Sequence, residues 1–115
     1  MNLTIAGKNL LLSGAFNPAT IVAALFTSAD YDNDEVTGGT YVRQAVTYEA
    51  PAEGVLPTDA ENLAVFGVPA GTAITHGALY IGATQIAAGP VTNESYTGAG
   101  EYRLVDADIT LSDVA

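Results

Sequence analysis

Thr72-Ala73-Ile74-Thr75-His76-Gly77-Ala78-Leu79-Tyr80-Ile81 is followed at once by Gly82-Ala83 and then by Thr84-Gln85-Ile86-Ala87-Ala88. Two strand-length apolar runs separated by a glycine-containing pair read as two strands joined by a tight turn. Working outward, Pro69-Ala70-Gly71 marks a turn before them, and Leu63 to Val68 makes another strand. Further upstream, Ile21-Val22-Ala23-Ala24-Leu25-Phe26-Thr27 is apolar and short enough for a buried strand. Thr40 to Tyr48 alternates, which predicts a strand with Val42, Val46 and Tyr48 on one face and Tyr41, Arg43 and Ala45 on the other. Ala29 to Gly39 is a loop, and Glu49 to Asp59, with Pro51, Gly54 and Pro57, is an excursion. Downstream, Gly89-Pro90 predicts a break, Val91-Thr92 a short strand, and Ser95 to Gly100 a loop. Glu101 to Leu111 predicts one or two closing strands, broken near Asp106-Ala107-Asp108.

The first residues carry a different signal. Leu3, Ala6, Leu10 and Gly14 recur at helical spacing, with Thr4 or Asn2 as the N-cap, and Gly14 and Asn17-Pro18 end the segment. A helix over 4–13 is expected. Seven or eight short strands with turn signals between them then predict an antiparallel β-sandwich or small barrel with one short N-terminal helix. No repeat, low-complexity tract or linker divides the chain, so residues 1–115 are expected to form one domain.

Composition narrows the function classes. With no cysteine, the chain offers neither a disulfide scaffold nor a thiolate nucleophile, and one histidine, His76, leaves no imidazole-rich metal site. A net charge of −10, with three basic residues in all, disfavours a nucleic-acid backbone as partner. No run approaches the ~20 apolar residues of a membrane span. Lys8 comes too late for a signal peptide, so the sequons at Asn2 and Asn93 read as chance. Of 56 hydrophobic residues 20 are alanine, which bury little area each, and the domain would gain from a partner surface.

No constellation points to catalysis. Asp30-Tyr31-Asp32-Asn33-Asp34 spaces its oxygens as a calcium loop does, but Glu35 and Tyr41 stand where the motif needs Gly and Glu; a solvated acidic turn is expected. His76 alternates onto a face with Ile74, Ala78 and Tyr80 and reads as structural. Ser13, Ser28, Ser95 and Ser112 all lack the strained turn of a nucleophile elbow. The carboxylates Asp106 and Asp108, and Glu49, Glu53 and Glu61, have too small a domain around them for a sugar-sized cleft. Gly38-Gly39 lacks the Lys and helix start of a phosphate loop. Arg43 and Arg103, in predicted strands, are expected to pair with carboxylates of the same chain. The expectation is no catalytic residue, no cofactor and no metal.

Four stretches resemble a family of small virion proteins of tailed bacteriophages, variously labelled head decoration or tail fibre proteins. Thr4-Ile5-Ala6-Gly7-Lys8-Asn9-Leu10 is similar to the family's opening helix. Glu35 to Tyr48, with its Gly pair, Tyr41 and Arg43, resembles its most recognisable motif. Phe66 to Tyr80, with Pro69-Ala70-Gly71-Thr72 and Thr75-His76, resembles the second, and Ala99 to Leu104 the closing strand. Tyr80 stands where the family often has Trp, and the turn after it is shorter. The resemblance implies a non-enzymatic virion component. An acidic, cysteine-free β domain without fibre repeats or heptads favours a capsid decoration (cement) protein on the major capsid protein lattice, made in the host cytoplasm and displayed on the head exterior. The alternative is a tail-tip or tail-fibre-associated module contacting the host envelope. Neither implies nucleic-acid binding or membrane insertion; both imply a homo-oligomer such as a trimer. Tyr41, Arg43, His76 and Tyr80 are the expected interface residues, as aromatic or cationic side chains on predicted strands.

Overall fold

The computed structural model describes residues 1–51 and 53–110. A two-residue strand, β1 (Asn2–Leu3), leads directly into the helix α1 (Ile5–Ser13). Thr4 caps that helix: its hydroxyl oxygen accepts the Gly7 N–H at 3.0 Å. The same residue ties the helix to the sheet, donating its hydroxyl to the Gln85 carbonyl at 2.7 Å and its N–H to the Ile86 carbonyl at 2.7 Å. Gly7 faces the strand below, and a Cβ there would collide with the Ile86 carbonyl oxygen, so only glycine lets helix and strand approach this closely. Gly14 closes α1, its N–H reaching the Leu10 and Leu11 carbonyls, and a 3-10 turn over Pro18–Thr20 delivers the chain into the sheet.

The remaining elements are strands: β2 (Ile21–Phe26), β3 (Gln44–Ala45), β4 (Val55–Leu56), β5 (Ala64–Val68), β6 (Thr72–Ile81), β7 (Thr84–Tyr96), β8 (Gly100–Leu104) and β9 (Ile109–Thr110). Seven form one curled sheet in the order β3-β2-β6-β7-β1-β9-β4, and β5 pairs with β8 in a second, two-stranded sheet. Pairing is antiparallel except between β1 and β9, which run parallel through Asn2 and Thr110. An isolated bridge between Tyr48 and Thr58 links the segments that follow β3 and β4, the two edges of the curl. The core fills the space between the sheets: Leu25, Ile74, Leu79 and Ile86 from the large sheet meet Phe66, Tyr102 and Leu104 from the small one. The chain is therefore mainly β, with one short N-terminal helix, as its patterning predicts.

Several boundaries differ from expectation. The predicted strand over Thr40 to Tyr48 shrinks to Gln44–Ala45, and Val42, expected with Val46 on one face, is 60% exposed while Val46 is buried. Side-chain bonds of Tyr41 and Arg43 hold that segment instead of a ladder. The predicted break at Gly89-Pro90 lies inside β7: Pro90 sits opposite His76, beside a register shift, where a missing donor is tolerated. At that shift, between Ile74 and His76, β7 carries two extra residues. Ile74 joins Leu79 in the main core, while Ala78 and Tyr80 belong to the second cluster, which corrects the single face expected for all of them. The Glu49 to Asp59 excursion contains β4, and α1 buries Gly7 rather than Ala6. The closing strands are Gly100–Leu104 and Ile109–Thr110; Leu111 and Ser112 lie outside the described residues.

Candidate interaction surface

Phe26, the last residue of β2, and Ala78 and Tyr80 of β6 turn away from the main core, and with Ala24 they form a second apolar cluster on the opposite face of the sheet. Two neighbours cover it. Tyr31, from the acidic loop, sets its ring edge-on to Phe26 at 5.0 Å between centroids, and the His76 ring stands edge-on to Tyr31 at 6.1 Å. On the other flank the Arg43 guanidinium lies 4.1 Å from the centroid of Tyr80, a cation–π contact that leaves Tyr80 buried beneath it. The His76 Nδ1 is 2.8 Å from the Thr75 hydroxyl.

Arg43 is held in place by Glu35. Its Nε and Nη2 donate to the two carboxylate oxygens at 3.0 and 2.8 Å, a bidentate pair. The guanidinium holds the Glu35 carboxyl below the usual carboxylate range, against the opposing effect of partial burial. The Arg43 side chain remains 39% exposed, so the planar cation is both fixed and accessible. The expectation that Arg43 pairs within the chain is met. Arg103 is exposed and makes no ion pair among the described residues, contrary to expectation, because its cross-strand partner on β5 is Val65.

Tyr41 belongs elsewhere. Its ring stacks on Phe66 of the main core, centroids 6.2 Å apart and nearly parallel, and burial pushes its phenol well above the usual range. The structure thus brings Arg43, His76 and Tyr80 to one face with Tyr31, Phe26 and Glu35, and places Tyr41 on the core side. Sequence reasoning singled out none of those last three partners. Glu35 opens the resemblance motif and Tyr31 is the one aromatic in an acidic loop, the only signals that mark them.

The acidic loop satisfies itself. The Asp30 carboxylate accepts the Asp32 N–H at 3.2 Å and the Asn33 amide at 3.1 and 3.3 Å, and the Ser28 hydroxyl donates to Asp34 at 2.7 Å. Those internal donors, Asn33 first, lower the Asp30 carboxyl below its ordinary value. Among the described residues no three His, Asp or Glu side chains are grouped to hold a metal. An open groove of about 300 Å³ runs between α1 and β4, lined by apolar side chains such as Leu11, Phe16, Leu56 and Ile109. No helix among the described residues is long and apolar enough to cross a membrane.

No protein-family model, curated protein or solved structure matches the chain.

Proposed function

We propose that this chain is a non-enzymatic structural component of a tailed-bacteriophage virion: a capsid decoration protein, present in many copies as a small homo-oligomer on the exterior of the head and docked on the major capsid protein lattice. One observation carries the reading. The two long motifs that resemble the virion family, Glu35 to Tyr48 and Phe66 to Tyr80, interlock in space. Tyr41 stacks on Phe66, Arg43 covers Tyr80, Gly39 backs onto Pro69, and Gly67 packs so tightly on Thr40 that a Cβ there would collide with the Thr40 hydroxyl. The residues of the resemblance are therefore those that build one side of this domain, which is what a shared fold requires.

The docking surface follows from that geometry. Tyr31, His76 and the Arg43–Glu35 pair present aromatic rings and a guanidinium held by two hydrogen bonds over one face of the large sheet, the chemistry of an interface centre. The experiment is to add purified protein to particles that lack it, label it, and image where it sits. Signal distributed over the shell is the expected result. Signal confined to the tail would replace this reading with a tail-associated module, and no binding at any salt concentration would end the virion reading.

A further inference from the structure

The two edges of the large sheet meet at one joint. Its outer strands, β3 and β4, are two residues long, and beyond them Tyr48 meets Thr58 in an isolated antiparallel bridge. Two backbone bonds flank that bridge: the Glu49 N–H donates to the Pro57 carbonyl and the Asp59 N–H to the Thr47 carbonyl, both at 2.9 Å. This seam is short beside the long ladder of β6 and β7.

Side chains fasten the seam to the crossing from β8 to β9. Thr58 is the one polar residue buried among the described residues. Its N–H and its hydroxyl both donate to the same Asp108 carboxylate oxygen, at 2.6 and 2.8 Å, and its hydroxyl oxygen accepts the Ala107 N–H at 2.9 Å. The Tyr48 hydroxyl donates to the Ala107 carbonyl at 2.9 Å. All four bonds end on Ala107 and Asp108, and two of them run to a carboxylate, the stronger kind. Removing the Thr58 hydroxyl would leave the Ala107 N–H buried and unmet, the costly way to lose a hydrogen bond.

Between the two ends of the seam, little else holds the chain down. None of the described residues from 49 to 57 is buried, and β4 pairs with β9 through Val55 and Leu56 alone. Segments with few buried apolar contacts open before the rest of a fold. Pro51, Gly54, Val55 and Leu56 form one wall of the apolar groove, which α1 and β1 also line through Leu11 and Leu3. We propose that the Tyr48–Thr58 seam is a latch. It opens as a unit while β2, β6 and β7 stay paired, and its opening frees that wall of the groove. Thr58 and Asp108 set how often it opens. The latch goes beyond the virion reading and acts in the free chain.

The test is native-state hydrogen exchange of the purified chain, followed amide by amide at low urea concentrations. The reporters are the amides of Glu49, Thr58, Asp59 and Ala107, with the β4 amide that bonds to β9. Ala78 and Leu79 of β6, flanked by β2 and β7, are the reference. The reporters should share one opening, at least about tenfold more frequent than that of the reference, and a weak urea dependence, because local opening exposes little surface. Ile74→Val, a smaller side chain in the main core, should speed the reference amides and leave the reporters as they were, since that core stays packed in both states of the latch. Thr58→Val keeps the shape, removes the hydroxyl and should speed the reporters about tenfold, the scale of an interior N–H left unmet. Thr58→Ser keeps the hydroxyl and should hold them closer to the parent rate. Reporters that exchange together with Ala78 and Leu79, that respond to Ile74→Val as those do, or that Thr58→Val leaves unchanged overturn the latch. A β4 amide that exchanges at the reference rate overturns its link to the groove. Particle binding plays no part in these measurements, so the latch and the virion reading fail separately.

Discussion

The Tyr41 hydroxyl accepts the backbone N–H of Leu25 at 3.0 Å while donating to the Glu35 carboxylate at 2.8 Å. β3 covers only Val22 and Ala23 of β2, so the outer edge of β2 beyond them would otherwise expose a row of unpaired groups. Side chain and loop complete it: Tyr41 takes the Leu25 N–H, Val36 donates to the Leu25 carbonyl at 2.9 Å, and Thr27 donates to the Asp34 carbonyl at 3.0 Å. An edge closed this way is no template for strand addition.

Tyr41→Phe keeps the ring on Phe66 and removes the acceptor for Leu25, leaving a buried N–H unmet. The expected loss is about 1–2 kcal/mol of folding stability, read from the midpoint of urea denaturation at unchanged slope. An unshifted midpoint would show that water replaces the phenol at this edge.

Glu35 predicts how stability responds to acid. Its carboxyl titrates lower in the folded chain than in the unfolded one, because the Arg43 guanidinium favours the charged form. The unfolded chain then binds more protons in that window. The contribution is complete above the ordinary carboxylate range and fades as pH falls through the depressed folded value. Denaturation midpoints measured downward from neutral pH should decline less steeply for Glu35→Gln than for the parent chain. Parallel acid limbs would mean the pair is too solvated to matter.

Tyr102 predicts the alkaline limb. It is buried, its hydroxyl donates to the Thr92 carbonyl at 2.7 Å, and burial pushes its phenol up to about 12. Unfolded tyrosine ionises near 10, so the folded state holds its proton longer. Stability is fully present below about pH 10 and is lost as pH rises toward 12. Tyrosinate absorbance should therefore rise in two stages, with Tyr102→Phe removing part of the later one.

The strands that were legible in the sequence are those whose side chains obey one rule from end to end. Ile21–Phe26 and Ala64–Val68 are apolar or alternating and are bounded by turn residues, and both form as read. Thr40 to Tyr48 alternates just as well, yet Tyr41 and Arg43 spend their side chains on Leu25 and Glu35, contacts that lie 16 and 8 residues away and leave no periodic mark. Strands of two residues, such as β1, β4 and β9, are too short to carry any period. The break in register between β6 and β7 is invisible in the letters, as is the division of Ile74 and Tyr80 between two clusters. Of the four residues expected at an interface, Arg43, His76 and Tyr80 share one face, while Tyr41 stacks on Phe66 and its hydroxyl serves the backbone.

Gly7→Ala should separate helix docking from the rest of the fold. The added methyl meets the Ile86 carbonyl, which belongs to the central hairpin and cannot retreat, so α1 must lift. Overpacking of this kind costs about 1–3 kcal/mol, more than the gain in helix propensity. Hydrogen exchange should show faster opening of amides in α1 and β1 than in β6. Uniform loss of protection would mean that the helix and the sheet unfold as one unit.

Arg43→Ala tests the docking surface, and it needs a control, because the substitution also frees Glu35 and uncovers Tyr80. Tyr41→Phe supplies one: it weakens the same network from the core side while leaving the exposed guanidinium, Tyr31 and His76 in place. If Arg43 contacts the capsid lattice, occupancy on particles lacking the protein should fall about tenfold or more for Arg43→Ala, the scale of an interface centre. It should stay near the parent value for Tyr41→Phe at a temperature where both variants are folded. Arg43→Lys should restore little, since an ammonium cannot hold Glu35 through two parallel bonds while lying flat on Tyr80. Equal occupancy for Arg43→Ala and the parent would remove Arg43 from the contact. Equal losses for Arg43→Ala and Tyr41→Phe would assign the effect to the stability of the shared network instead.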